Sequence, residues 1–434
     1  MSVDLVIAPD AFERLPTRVG GAALVVMDAN TREAAGARVT AVLGAADELV
    51  FHQRAGLRPG MEEVTAVRER LGPGITPVAV GSGVITDIVR YAAHLSDTDF
   101  VSVPTAASMD GYASGVAAME VEGVKVTYPA RPPVAILADP GVLAAAPPEL
   151  TRAGIGDLLG KATAAVDWLA AHLLYGESYD ERIAERVQAV LRETTAGAGR
   201  ALAGEADALR ALLAGLVQSG VAIALAGSSR PASGCEHHAS HFWDLLAAQG
   251  RRPHALHGLQ VGYATWFAMR LQRFAYAGGV PALRRPAPAA DPLGPAAREW
   301  LGQPTAEIVA AVEEKRRWTA TIGPRWPEDA RRWHEVCATL TAAMQPFPAV
   351  ERALAVAEIP DGPGFLDVDA ATLAATFRHA TRLRARYTVV DFLEGQAALD
   401  AALAVALPAG CGVTSGPPPG PPPGPPPRAA PRQP

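Results

Sequence analysis

The hydrophobic pattern of this chain changes character once, near Pro147-Pro148, and that change constrains the fold more than any other feature. Before it, short β-branched runs alternate with helical segments. LVVMDANT (Leu24 to Thr31) is such a run ending in a turn-rich cluster, the pattern of a buried parallel strand. TREAAGARVTAVLG has helical composition, ELVFHQR reads as a strand, and EEVTAVRERLG reads as a helix with a glycine stop. TPVAVGSGVITDIVRYAAHLS, FVSVPTAASMDGYAS and PVAILADPGVLAAAP repeat the strand-and-turn theme, and GVKVTYPA reads as a hairpin edge. Strands alternating with helices imply a parallel sheet whose ligands bind at the carboxyl ends of its strands. After the change the pattern is helical throughout. It begins with GDLLGKATAAVDWLAAHLLYG, read as a helix with Asp157 in its first turn. The expectation is an α/β domain over 1–150, an all-α domain over 151–406 and a disordered Pro/Gly-rich tail over 407–434.

Length supports two domains, since 434 residues exceed the usual single core. A net charge of −6 gives no basic footprint for nucleic acid. The three cysteines, Cys235, Cys337 and Cys411, are far apart and odd in number, which argues against a disulfide framework and suits a reducing compartment. MSVDLVIAPDAFERL lacks a basic leader followed by an apolar core, and no uninterrupted apolar run has membrane-spanning length. The expected setting is cytoplasmic, without membrane insertion.

Chemistry concentrates between Ser233 and Thr265, where five of the ten histidines fall: His237, His238, His241, His254 and His257. His237 and His241 are four apart on an amphipathic segment and share one helical face, while His238 turns away. His257 opens a second helical run. Clustered imidazoles with an upstream carboxylate read as a metal site. In the first half, Gly81-Ser82-Gly83 sits where a strand gives way to a helix. Glycines there let backbone approach a pyrophosphate, although any tight β–α turn favours them and the full GxGxxG spacing is missing. Asp28, at a strand end, is placed either to accept from a ribose hydroxyl, favouring NAD over NADP, or to cap a helix. Asp110 and Lys125 are ordinary loop charges or substrate contacts. Trp318, Trp326 and Trp333 are irregularly spaced and read as packing residues.

DANTREAAG, GSGVITDIVRYAA, VSVPTAASMDGYAS, KVTYPA, AILADP, AGIGDLLGKATAAVDW, SSRPASGCEHHASHFWD, HGLQVGYAT and RYTVVDFLEG occur in order. Together, over roughly residues 20 to 400, they resemble the sn-glycerol-1-phosphate dehydrogenases, particularly their bacterial branch, within the iron-dependent alcohol dehydrogenase and dehydroquinate synthase superfamily. The resemblance implies an α/β N-terminal Rossmann-like nucleotide-binding domain plus an all-α C-terminal domain, the dehydroquinate synthase-like fold, with the active site in the cleft between. It implies Asp157, His237 and His257 as ligands of one divalent metal, whether zinc, nickel or iron. Gly81, Ser82, Gly83 and Asp87 would line the dinucleotide pyrophosphate. Thr105, Ser108, Ser114 and Val116 would flank the nicotinamide or its ribose, and Asp28 the adenosine ribose. Asp110 and Lys125 would face the substrate, and His241 its phosphate, since a matching position in the related synthases contacts a phosphate-like group. The implied reaction reduces dihydroxyacetone phosphate to sn-glycerol 1-phosphate with NADH preferred and NADPH possible. The resemblance also implies a homo-oligomer, a dimer or larger, whose partner molecule is a small phosphorylated ketone or alcohol.

Three other readings compete. A sugar-phosphate cyclase of the dehydroquinate synthase type usually presents glutamate where Asp157 stands and an NxGHTxGHA-like segment where this chain has SGCEHHASH. A dehydrogenase for another polyol would take a substrate without phosphate. A catalytically idle scaffold would bind through GPPPGPPPGPPP, whose glycine period of four excludes collagen and suits an extended polyproline II tail.

Overall fold

The computed structural model describes residues 3–408 except 45, 53–55, 122–123, 279–283, 286–290, 321–325 and 328, with the side chains of 124, 125 and 318 also outside the description. The expected tail, most of the proline-rich segment 280–295, the Lys125 side chain and Cys411 therefore lie outside the described residues.

Eight strands form in the first half. They are β1 (Asp4–Ile7), β2 (Ala22–Asp28), β3 (Asp47–Phe51), β4 (Ile75–Gly81), β5 (Val101–Pro104), β6 (Val116–Val121), β7 (Val124–Pro129) and β8 (Ala135–Ala138). Six of them make one sheet in the order β1-β8-β5-β4-β2-β3, parallel throughout, and β6 and β7 pair as an antiparallel hairpin. β1 is not evident from the sequence pattern: DLVI is four residues long and pairs with β8 alone, at the sheet edge. Both faces of the sheet are covered, so its strands read as continuous apolar runs. Val25 and Met27 pack on one side with Val78, Val80 and Val103, while Leu24 and Val26 pack on the other with Ile85, Ile88 and Val89. Successive residues on one strand serve opposite cores, as a two-residue repeat dictates.

The chain leaves β2 toward β3 on one side and leaves β4 toward β5 on the other. The carboxyl ends of β2 and β4 therefore border the topological switch point, where parallel sheets open a crevice for ligands.

From Pro140 onward the described structure is helical. One boundary departs from expectation. Asp157 does not open a helix; it lies in the last turn of Pro148–Leu159, and a separate helix, Lys161–Tyr175, begins beyond Gly160. The paired prolines look like a break, but Pro148 occupies the first turn, where its missing N–H costs nothing. An acid in the last turn faces the negative end of the helix dipole, so Asp157 needs compensation from elsewhere.

The Pro148–Leu159 helix crosses the helix His257–Tyr276 at backbone contact. A Cβ on Gly258 would lie 1.9 Å from the Ala153 carbonyl oxygen, and one on Gly156 would lie 2.3 Å from the Gly258 oxygen. The neighbours of these glycines in sequence are Asp157 and His257. Glycine at both positions is thus what brings the two side chains together. Among the described residues one helix, Ala206–Ala226, is long and apolar enough to cross a membrane; it is mostly buried, with Leu209, Leu213 and Leu216 in the main core. Trp326 is buried and Trp333 stacks on Phe392 at 5.3 Å, as packing residues should.

Candidate metal centre

Four segments deliver the centre. Asp157 comes from the end of the Pro148–Leu159 helix, and His237 from the first turn of the helix Cys235–Ala248. His257 opens its own helix, and the loop after β5 brings Asp110. Ligand atoms of Asp157, His237 and His257 all lie within 4.8 Å of one another. His237 Nε2 is 3.6 Å from Asp157 Oδ1. Two donors about 2.1 Å from one tetrahedral ion would stand about 3.4 Å apart, so the spacing fits a shared metal.

Each candidate ligand is held by a further group. His237 Nδ1 is 2.7 Å from Glu236 Oε1, so a proton on Nδ1 leaves Nε2 facing Asp157. Ser240 Oγ donates to Gln260 Oε1 at 2.9 Å and so accepts from His257 Nδ1, also at 2.9 Å, which directs the His257 Nε2 lone pair outward. Gln260 Nε2 donates to Asp244 Oδ1 at 3.1 Å, fixing the amide. Imidazoles oriented by a carboxylate or a hydroxyl in this way are typical of metal ligands. Asp157 Oδ2 accepts the Asp110 N–H at 3.0 Å.

Lys161, fully buried, supplies the compensation that Asp157 needs. Its Nζ is 2.7 Å from Asp157 Oδ1 and 2.8 Å from Asp110 Oδ2, and Ser219 Oγ donates to that same Asp110 oxygen at 3.0 Å. Burial pushes the Asp157 carboxyl up, but the Lys161 ammonium and both imidazoles outweigh it and hold the group well below the usual carboxylate range. Burial and Lys161 pull His237 down, while Asp157 and Glu236 overcome them and raise it. Asp110 and Asp157 share the single ammonium of Lys161 while Glu236 pairs with His237, so three carboxylates gather about one lysine, a negative balance suited to a divalent cation. A second buried group, Asp167, Cys235 and Glu236, also gathers within 4.8 Å. Its carboxylate oxygens already accept from Cys235 N, Gln272 Nε2, Val389 N, Gly234 N and Thr163 Oγ1, so it reads as a hydrogen-bonding hub.

The proposed dinucleotide residues gather at the switch point. Gly81 ends β4 and Gly83 starts the helix Gly83–Leu95, with Ser82 as an N-cap that makes no side-chain cap. A Cβ on Gly81 would meet Ile85 Cβ at 2.7 Å, and one on Gly83 would meet Met109 Cγ at 3.3 Å, so glycine keeps this turn tight. An uncapped helix N-terminus at the mouth of a parallel sheet suits a phosphate. Asp28 does cap: its Oδ1 accepts the Thr31 N–H at 2.8 Å, and Thr31 Oγ1 accepts the Asp28 N–H at 3.0 Å. Asp87 lies one turn into the Gly83–Leu95 helix and holds the buried Arg90 at 2.6 Å; Arg90 also donates to the carbonyls of Gly111, Tyr112 and Val116. Thr105 N–H donates to Gly81 O at 3.3 Å, Ser108 is buried beside Tyr112, and Ser114 Oγ accepts the Val116 N–H at 3.1 Å. Lys125 pairs in register with Glu120 on the hairpin. His241 stacks 5.9 Å from His257 and lies 3.4 Å from Arg384 Nη2.

Lys161, Glu236, Ser240 and Gln260 were not singled out from the sequence. The four-residue step from Asp157 to Lys161 was the available signal. The others become visible only once the helices are packed.

Residues 6–147 match the family model described as iron-containing alcohol dehydrogenase. The chain is 37% identical over 196 residues to a protein of Halalkalibacterium halodurans named glycerol-1-phosphate dehydrogenase [NAD(P)+], a match covering 45% of this chain and 49% of that one, so it spans about half of that relative's length. A protein of the same name from Pyrococcus furiosus is 38% identical over 244 residues, covering 56% of this chain and 69% of the relative. The iron-containing alcohol dehydrogenase structure from Thermococcus thioreducens superposes with a TM-score of 0.59 at 14% identity, covering 93% of this chain and 98% of that one; at that identity the likeness is one of fold. The parallel sheet, the helical half that follows it and the identity shared with these relatives agree: the chain belongs to the glycerol-1-phosphate dehydrogenase family, within the iron-containing alcohol dehydrogenases.

Proposed function

We propose that the chain reduces dihydroxyacetone phosphate to sn-glycerol 1-phosphate, using NADH in preference to NADPH and one divalent metal. The observation that carries this reading is the convergence of Asp157, His237 and His257 with both imidazoles already oriented by Glu236 and Ser240. The three side chains would hold zinc, nickel or iron, and the ion would act as a Lewis acid on the substrate's carbonyl and hydroxyl oxygens. The nicotinamide would supply the hydride.

Everything else falls to the protein. Gly81, Ser82 and Gly83 let backbone and a helix N-terminus meet the pyrophosphate, with Asp87 alongside, and Asp28 accepts from the adenosine ribose. Thr105, Ser108, Ser114 and Val116 pack beside the nicotinamide and its ribose. Asp110 and Lys125 face the substrate. Asp110, joined to Lys161 and Ser219, offers a path by which a proton reaches the developing hydroxyl. His241 meets the phosphate. Holding carbonyl carbon and nicotinamide together in one cleft is catalysis by position.

The test is NADH oxidation with dihydroxyacetone phosphate, using metal-stripped protein reloaded with zinc, nickel or iron, followed by chiral analysis of the product. Metal-dependent formation of sn-glycerol 1-phosphate is expected. No turnover with any metal and either nicotinamide cofactor would remove the assignment.

A further inference from the structure

The segment Arg384 to Tyr387 passes beside the start of the Cys235–Ala248 helix, with a bend at Arg384 and Ala385. Every other cation in this neighbourhood is matched by a carboxylate. Arg230 is held by Glu177, Lys315 by Asp391 at 2.8 Å, and Arg382 by Glu394. Arg384 and Arg386 have no such partner among the described residues. Arg386 Nη1 donates to Ser233 Oγ at 3.1 Å, and Arg384 Nη2 reaches only His241 Nε2 at 3.4 Å.

These two guanidiniums are also poorly hydrated. Burial pulls both down from the ordinary arginine range, and Arg386, pressed further by Arg384 and Arg230, is lowered to about 9. His238, in the first turn of that helix, is 1% exposed, with neither ring nitrogen hydrogen-bonded. Arg384 is desolvated with no carboxylate acting on it, and Arg386 is offset only by Glu177 and Glu236 beyond ion-pair distance, so an anion joining the two would be favoured.

The surroundings say which anion. Ser233 lies just before the helix, four residues ahead of His237, and His241 lies four residues after it, so the two arginine contacts fall on either side of a candidate metal ligand in sequence. A cavity of about 120 Å³ opens beside His241 and Arg384, closed by Leu383 and by Val126 and Thr127 of the hairpin, with exposed Glu307 at its rim. It is far too small for a dinucleotide and matches a compact oxyanion, and the His241 ring on its wall lies 5.9 Å from that of the candidate ligand His257.

We propose that Arg384 and Arg386 bind the phosphate of the substrate, a phosphomonoester dianion, together with His241. Guanidinium forks pair bidentately with phosphate oxygens, which a lone imidazole does not do. This rests on the reading of the substrate as a phosphorylated ketone. It adds that selectivity for phosphate over a free hydroxyl comes from two residues outside the histidine cluster.

The test uses full-length, metal-loaded protein and the charge-neutralising variants R384Q and R386Q, with R384K and R386K as charge-retaining controls against misfolding. Inorganic phosphate binding is measured by calorimetry. KM is measured for dihydroxyacetone phosphate and for unphosphorylated dihydroxyacetone, each with NADH and NADPH. The expected result is that each glutamine variant weakens phosphate binding and raises KM for the phosphorylated ketone ~10- to 100-fold. KM for dihydroxyacetone should stay within ~3-fold, and the lysine variants should fall between. Unchanged phosphate binding in both glutamine variants would overturn the inference. So would a loss seen only with NADPH, which would assign the anion to the cofactor. Arginine-dependent phosphate binding by a protein that reduces no phosphorylated ketone would sustain the anion site and remove the proposed reaction instead.

Discussion

The mouth of the sheet and the metal centre are built from opposite materials. At the sheet, the candidate contacts with a cofactor are backbone: the turn Gly81-Ser82-Gly83 and the N-terminus of the Gly83–Leu95 helix, with glycine required because Ile85 leaves no room for a Cβ at Gly81. At the candidate metal centre every candidate ligand is a side chain, and each is oriented by a further group: His237 by Glu236, His257 by Ser240, Asp157 by Lys161 and by the backbone N–H of Asp110. A backbone site needs only the right strand, turn and helix. A side-chain site needs four segments to arrive together. The two should therefore fail independently and by different amounts.

The sharpest way to break this contrast is His237→Ala. With the metal set reduced to Asp157 and His257, reduction of dihydroxyacetone phosphate should fall at least ~10³-fold, the scale of losing several kcal/mol of transition-state stabilisation. NADH binding, followed by fluorescence titration, should move less than ~2-fold. Equal loss of both would mean that the two sites form one cooperative unit.

Next comes Gly258→Ala, which acts on geometry alone. The new Cβ would meet the Ala153 carbonyl oxygen at 1.9 Å, so the helices must separate, at a cost of about 3 kcal/mol or more in chemical denaturation. Because Asp157 and His257 are set by that crossing, metal affinity measured by calorimetry should fall in the same variant. A stable protein with unaltered metal affinity would show that the close approach does not position the ligands.

Ser240→Ala leaves all three ligands in place and removes only the group that orients His257. Metal affinity should drop ~10- to 100-fold. The centre should also lose metal on acidification earlier than an ordinary histidine site would. His237 is raised above its usual ~6.5, so its imidazole takes up a proton, and ceases to be a ligand, as pH falls through a range above that value. Metal affinity independent of pH between 8 and 6 would contradict this, with ~6.5 as the dividing point.

The same contrast explains what could be read from the sequence. The strand–glycine–helix pattern at Gly81 and the four-residue step from His237 to His241 are local, and both stand where expected. The reading of Asp157 as a helix-opening acid failed because Pro147-Pro148 looked like a break, while in the structure Pro148 lies inside the first turn. Ser240 and Gln260 matter only through partners brought in by packing, and nothing in their immediate sequence marks them, whereas Lys161 carries the four-residue step from Asp157 as its one local signal. Arg384 and Arg386 were visible as RLRAR, but what distinguishes them is the missing carboxylate, a property of their neighbours.

The smallest expected effect tests the one residue with two roles. Asp28 closes a capping box with Thr31 and also ends β2 at the switch point beside β4. Asp28→Ala should cost about 1 kcal/mol of stability through loss of the cap. If the carboxylate also accepts from a ribose and repels a 2′-phosphate, the ratio of kcat/KM for NADH to that for NADPH should fall ~10-fold as well. Asp28→Ser separates the two roles, since serine caps but carries no charge: stability should recover while the cofactor ratio stays low. Recovery of both would leave Asp28 as a helix cap only. The backbone at Gly81 to Gly83 would meet only the pyrophosphate common to NADH and NADPH and gives no basis for choosing between them. Any preference measured in Asp28→Ser must therefore come from a second residue near the ribose.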